Sequence, residues 1–265
     1  LAVVFDTASK TFRNEIYSDY KANRSEAPED LIPQFSLIRE ATNAFNIPYI
    51  ELGGYEADDI IATYATKAEN KGWLVDIISS DKDLMQLVND KIRMIDPLKM
   101  TNIGKEEVFN KFGVYPDKVV DVQALAGDST DNIPGVPGIG IKTAAELINQ
   151  YGNLESLLQR AEEIKQPKRR ENLLTFADLA RISMKLVTLD NNVKNIENFE
   201  TFARKDIDLD KLKRFLSEQG FNSLISRLPN LEDFNQNKSA YIALSNDNQN
   251  KAQDVDIKNN YQLIT

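Results

Sequence analysis

Four groups of carboxylates are placed where they could act together. Asp6 closes the apolar run LAVVFD, and Glu56, Asp58 and Asp59 open a helical stretch within GYEADD. Asp81 and Asp83 follow a further apolar run in SSDKDL, and Asp128 and Asp131 lie in AGDSTDN. Eight carboxylates cannot converge unless cations neutralise them, because like charges a few ångström apart resist ionising together. Oxygen ligands without nitrogen or sulfur select hard cations, Mg²⁺ or Mn²⁺. Two such ions about 4 Å apart would clamp the attacking and leaving oxygens of a phosphodiester. Each group also has a structural explanation. Asp6 can be a turn residue, and Glu56, Asp58 and Asp59 can be dipole partners of a helix start. Asp81 can be an N-cap with Asp83 in the first turn, and Asp128 and Asp131 can be loop acids. Those explanations leave one regularity untouched. The first three groups recur at the same end of successive strands, where α/β sheets place their ligands.

The composition narrows the chemistry further. The chain has 265 residues, 32 basic and 41 acidic, for a net charge of −9, and contains neither cysteine nor histidine. Disulfides, zinc knuckles, thiol nucleophiles, imidazole bases and His-ligated metals are therefore excluded. Setting the eight clustered acids aside, 33 acidic residues remain against 32 basic ones, so the acidity of the chain could be largely that of one site. No apolar run approaches the ~20 residues of a membrane span. The absence of cysteine fits a reducing cytoplasm.

The elements that must position these acids can be read from periodicity. Residues 1–6, 47–52, 73–80 and 92–95 read as strands. Helices are expected after Pro28, over residues 55–70 with Gly72 as the stop, and briefly over 83–88. Alternating strands and helices predict an α/β fold, a mostly parallel sheet flanked by helices. From residue 104 to about 228 the pattern turns helical, with candidates at 105–112, 117–126, 143–150, 154–160, 169–186 and 209–219. The expected domains are residues 1–115 (α/β, acid-bearing), 116–230 (helical) and 231–265, an Asn- and Gln-rich linker ending in a strand-like YQLIT.

Two further segments suit nucleic acid. Gly135, Gly138 and Gly140 in GVPGIGIKTA precede a helix start bearing Lys142 and Thr143. Backbone amides in such a turn can grip a phosphate without reading sequence, although an ordinary interhelical turn would look the same. Arg13, Tyr17, Tyr20, Lys21 and Arg24 interleave cations with rings. Such a segment can follow a phosphate backbone while the rings stack on unpaired bases, or it can be a solvated loop. Lys168, Arg169 and Arg170 read as an exposed helix start.

Taken together, VVFDT, FRNEIYSDYKANR, GYEADDIIA, SSDKDLMQLV and ALAGDSTDNIPGVPGIGIKTA resemble, in order and spacing over residues 1–230, the 5′→3′ exonuclease domain of bacterial DNA polymerase I in the flap-endonuclease superfamily. The resemblance implies a PIN-like α/β nuclease domain followed by a helical domain with a helix-hairpin-helix type DNA-binding element. It implies that Asp6, Glu56 and Asp58 hold one Mg²⁺ or Mn²⁺. Asp81, Asp83, Asp128 and Asp131 would hold a second, with Asp59 as a neighbour. Arg13 and Lys21 would be catalytic. Arg24, Tyr17 and Tyr20 would contact DNA, and the glycine hairpin would hold duplex DNA and a K⁺ ion. The implied substrate is DNA with a 5′ flap, nick or RNA primer end, cut during replication and repair. The implied setting is the bacterial cytoplasm, near the nucleoid, with a polymerase domain in the same polypeptide.

The family pattern opens with a further strand carrying another ligand Asp. Its absence before Leu1 leads us to expect a fragment of reduced activity, for which a DNA-junction binder is the alternative. A PIN-type RNase shares the acid-lined sheet but not the glycine hairpin.

Overall fold

The computed structural model describes residues 1–7 and 10–228. The expected linker and the strand-like YQLIT lie outside these residues. Short apolar runs form β1 (Val3–Val4), β2 (Tyr49–Ile50), β3 (Val75–Ile78), β4 (Ile92–Ile95) and β5 (Asn102–Ile103). Strands β1 and β2 pair in parallel with Val3 opposite Tyr49, and β3 and β4 pair in parallel with Val75 opposite Ile92. β5 joins β4 antiparallel, Met94 facing Ile103. The strands therefore form two small sheets rather than the single sheet expected. β5 escaped the sequence reading because two residues carry no period.

Among the described residues the helices are α1 (Phe12–Ile16), α2 (Gln34–Ala44), α3 (Ala57–Asn70), α4 (Lys105–Phe112), α5 (Val119–Ala126), α6 (Ile141–Tyr151), α7 (Leu154–Gln159), α8 (Pro167–Thr175), α9 (Ala177–Val187), α10 (Leu209–Glu218) and α11 (Asn222–Ile225). Most start and stop where periodicity and glycine place them. α4 ends at Gly113 in the left-handed conformation (φ 73°), which glycine adopts without a Cβ penalty. Two expectations need correction. The helix anticipated from Pro28 starts at Gln34 behind Pro33, and the one anticipated over 169–186 is two helices parted at Phe176.

The chain divides into two compact units: residues 2–28 with 49–199, and residue 1 with 29–48 and the described residues from 200 on. In the larger unit α5 lies at the centre. Its Val119, Val122, Ala124 and Leu125 are fully buried, and it packs against α6 and α9. The same core contains Ile77 and Met94 from the sheet, Phe112 and Val114 from the junction, and Leu147 and Leu157 from the later helices. The α/β and helical halves expected to part near residue 115 thus share one interior. In the smaller unit Ala44 of α2 packs with Leu212 and Leu216 of α10.

One tight feature positions two of the acids. The loop after α5 closes on itself through a two-way backbone bridge between Asp128 and Ile133, at 2.9 and 2.7 Å. At its neck Gly127 and Gly135 touch backbone to backbone. A Cβ on Gly135, whose φ is 60°, would stand 2.4 Å from the Gly127 nitrogen. The Gly135 N–H donates to the Ser183 hydroxyl at 2.9 Å in a buried site. Gly135 therefore ties the acid-bearing loop to α9, and its amide is not free for DNA as the sequence suggested. Gly140, by contrast, has open space where a Cβ would go. We expect Gly135→Ala to lower stability by more than about 2 kcal/mol, because it combines a left-handed φ with a backbone clash. Gly140→Ala should stay within about 1 kcal/mol of the parent, the usual range for this change at an N-cap. Denaturant unfolding of the two variants checks the contrast.

Candidate active site

The first turn of α3 organises the acids. Asp6, two residues past β1, accepts the Ala57 amide at 2.7 Å, and Glu56 is the N-cap residue. Asp81 folds back to accept the Asp83 amide at 2.9 Å, presenting both groups at the start of a 3₁₀ turn. Asp83 accepts a 2.5 Å bond from the Gln123 side chain of α5.

These groups converge on Asp58. Burial pushes its pKa up, and the charges of Asp81, Asp83, Asp6 and Glu56 push it further, to about 8. No hydrogen-bond donor to Asp58 is seen among the described residues. Burial and the neighbouring Asp81 also raise the pKa of Asp83, against the lowering effect of Gln123.

The remaining acids of the cluster are met by the chain's own cations. Lys21 reaches Glu56 at 2.7 Å and Asp131 at 3.8 Å, Arg24 pairs with Asp131, and Lys82 pairs with Asp128. Burial works against ionised Asp128, but the bonds from Lys82 and the Thr130 amide outweigh it and hold the pKa below the usual range. Lys21 sits at φ 58°, its amide donating to the Asp131 carbonyl at 2.9 Å, so the basic segment is pinned beside the acid loop.

Two expected site residues have a different place. Arg13 is 1% exposed and Asp59 is fully buried. The guanidinium makes a two-pronged bond to Asp59 at 2.7 and 2.8 Å and donates to the carbonyls of Leu186 and Thr188. Burial opposes the Arg13 charge, yet Asp59 and Glu56 more than offset it and raise its pKa. Asp59 also accepts the amides of Glu56 and Asp190. Neither Arg13 as a catalytic cation nor Asp59 as a metal neighbour fits, because each is fully used by the other and by backbone.

Tyr20 is corrected likewise. It is buried with Ile133, Leu186 and Val187, with its hydroxyl on Glu56 at 3.2 Å, so its ring is closed to bases. Burial and the Glu56 charge raise its pKa. Tyr17 packs partly buried against that cluster. At the glycine hairpin, Gly138, Gly140 and Lys142 are exposed and Thr143 is half-buried. Gly140 is the N-cap of α6 and supplies no side-chain cap to its first amides.

The sequence reading missed Lys82, Gln123 and Ser183. Lys82 stands between two of the acids in SSDKDL. Gln123 is a polar residue in the otherwise apolar face of α5, a mismatch that marks a buried partner.

Among the described residues no three acids are disposed so as to hold a metal ion between them. The donor chemistry nevertheless fits hard cations. The ligands are all oxygen, and the repulsion that adds to burial in raising the Asp58 pKa is what a divalent cation relieves.

Comparison with known proteins places this geometry. Residues 1–113 match the 5′-3′ exonuclease N-terminal resolvase-like domain, and residues 114–210 match the 5′-3′ exonuclease C-terminal SAM fold. A 5′-3′ exonuclease of Aquifex aeolicus (strain VF5) is 41% identical over 228 residues, 86% of this chain and 78% of that one. The chain belongs to the 5′-3′ exonuclease family. The DNA polymerase I of Rhizobium leguminosarum is 54% identical over 228 residues, 86% of this chain but 22% of the polymerase, so the chain spans about a quarter or less of that relative's length. Among solved structures, the bacteriophage T5 flap endonuclease, in a pseudo-enzyme–product complex with DNA and metal ions, is similar at 25% identity with a TM-score of 0.62. That match covers 82% of this chain and 81% of that one.

Two outcomes follow for stability. Arg13→Met should cost about 3–5 kcal/mol, because it leaves the Asp59 charge buried and unpaired. Denaturant unfolding measures this. The second outcome concerns Asp58. In the unfolded chain its carboxyl ionises near pH 4, whereas in the fold it keeps its proton to about 8. Between those values unfolding releases a proton, so in EDTA stability should fall as pH rises, by up to about 1.4 kcal/mol per unit. Asp58→Asn should flatten that slope, and a parent whose unfolding free energy is level across this window would refute the crowding.

Proposed function

We propose that this chain hydrolyses phosphodiester bonds beside unpaired 5′ ends, at 5′ flaps, nicks or RNA primer ends, with Mg²⁺ or Mn²⁺ as cofactor. The observation that carries this reading is the crowding of Asp6, Glu56, Asp81 and Asp83 around the buried Asp58, whose pKa is pushed up to about 8. Asp6, Glu56 and Asp58 would hold one ion, and Asp81, Asp83, Asp128 and Asp131 a second. When bound, such ions lower the pKa of a coordinated water and screen the phosphate charge. The chain's own residues do the rest. Lys21, shared between Glu56 and Asp131, is placed to turn its ammonium to an entering phosphate and neutralise charge on its oxygens. Arg24 extends that cationic line towards the unpaired strand. The hairpin of Gly138 and Gly140, with Lys142 and Thr143, grips duplex phosphates through uncapped amides and is the place for a K⁺ ion.

In this scheme residues 1–115 supply Asp6, Glu56, Asp58, Asp81 and Asp83, and residues 116–230 supply Asp128, Asp131 and the duplex grip. The work would be primer and flap removal in replication and repair, in a bacterial cytoplasm near the nucleoid, alongside a polymerase domain in the same polypeptide.

A second reading, a DNA-junction binder of low activity, is favoured by one observation. Among the described residues Lys21, Arg24 and Lys82 already pair with Glu56, Asp131 and Asp128, and no three acids are disposed so as to hold a metal ion.

Incubating the purified chain with a 5′-flap duplex in Mg²⁺ and in EDTA separates the two. We expect Mg²⁺-dependent release of the flap with a 5′-phosphate on the product. Asp58→Asn should slow it at least about 100-fold, as loss of one charge-stabilising group at a reacting centre commonly does. Tight flap binding without cleavage in either buffer would favour the junction binder, and absence of both would overturn both readings.

A further inference from the structure

A cavity of about 480 Å³ opens beside the first turn of α3, formed by the stretch from Lys10 to Ser18 and by Gly54 and Tyr55. It is outside the acid cluster but adjoins it. Tyr55 immediately precedes Glu56, and Phe12 precedes the Arg13 that is bound to Asp59. Two rings line it, Phe12 and Tyr55, with centroids 6.2 Å apart and planes tilted by 57°. The Arg13 guanidinium lies over the Phe12 ring, 4.6 Å from its centroid. Two polar groups in the cavity wall have no partner among the described residues, the Tyr55 hydroxyl and the Lys10 ammonium.

We propose that this cavity receives one unpaired nucleobase of the DNA strand whose 5′ end enters the acid cluster. The inference rests on the nuclease reading above and adds the subsite that holds a base next to the cut. Flat aromatic faces take any base by stacking. The Tyr55 hydroxyl can bond to a base edge, and Lys10 at the rim can meet the adjoining phosphate. Glu15 in the same wall offsets Lys10, so a free phosphate finds no net positive charge to hold it, whereas a neutral base is unaffected. The occupant fixed by these features is therefore a base rather than an anion.

The test couples protein and DNA changes. Binding of flap duplexes is measured by fluorescence anisotropy in EDTA, with the parent chain and with Phe12→Leu and Tyr55→Leu. Each duplex carries a single abasic position, moved nucleotide by nucleotide along the unpaired arm. Stacking of one base is worth about 1–3 kcal/mol, which is a loss of about 5- to 150-fold in affinity. We expect one abasic position to produce a loss of that order in the parent and little further loss in the ring variants, the signature of two groups in contact. Tyr55→Phe should retain most of the affinity, and unfolding curves of all variants show whether the fold persists. Ring and abasic losses that simply add, or ring variants that bind like the parent, would overturn the base subsite alone. A parent chain that does not bind flap DNA would overturn the nuclease reading together with it.

Discussion

The buried pair of Arg13 and Asp59 is the constraint on which the site depends. It joins three stretches far apart in sequence: the helix α1, the first turn of α3, and the end of α9 through the carbonyls of Leu186 and Thr188. Two charges taken out of water are costly unless every donor and acceptor is met. Here the guanidinium bonds to the carboxylate and to two carbonyls, and the carboxylate also takes the amides of Glu56 and Asp190. A pair satisfied in this way has one geometry. It fixes the direction of the α3 first turn, and with it Glu56 and Asp58, relative to the segment carrying Tyr20 and Lys21.

Around that fixed point the protein separates charges that must stay apart from those that must meet. Lys21, Arg24 and Lys82 pair with Glu56, Asp131 and Asp128, whereas Asp58, Asp81 and Asp83 have no ion pair among the described residues and Asp83 is met only by Gln123. An acidic chain is a poor partner for a polyanion over its whole surface. Within the acid cluster, however, Asp59, Glu56, Asp131 and Asp128 are each matched by a cation of the chain, and the uncompensated charge narrows to the surroundings of Asp58. Net charge alone therefore misleads here, whereas its distribution does not.

Much of this was legible in the sequence, and the failures share a cause. Strand ends followed by acids located Asp6, Glu56, Asp81 and Asp83, because strand period and helix caps are local properties. The division of labour within a motif was not legible. GYEADD gives no sign that Asp59 faces inward to an arginine while Asp58 faces the other acids. FRNEIYSDYKANR likewise does not tell the buried Arg13 and Tyr20 from Lys21 and Arg24, which face the acids. Those fates depend on α9, over a hundred residues away. The two sheets and the split of α8 from α9 at Phe176 likewise leave no signal in the period of the segments themselves.

The same first turn shows how a structural and a chemical role can occupy adjacent positions. Acids at a helix start normally serve its exposed amides and dipole. Asp6 and Asp59 do this for Ala57 and Glu56, at 2.7 and 3.2 Å. With those amides taken, Asp58 has no local donor to compensate its burial, and its surroundings are four further carboxyl groups. Burial and those four carboxyl groups raise its pKa. In the same turn, therefore, Asp6 and Asp59 serve the helix start while Asp58 is left to meet the other acids, a crowding that a cation brought in from outside would relieve.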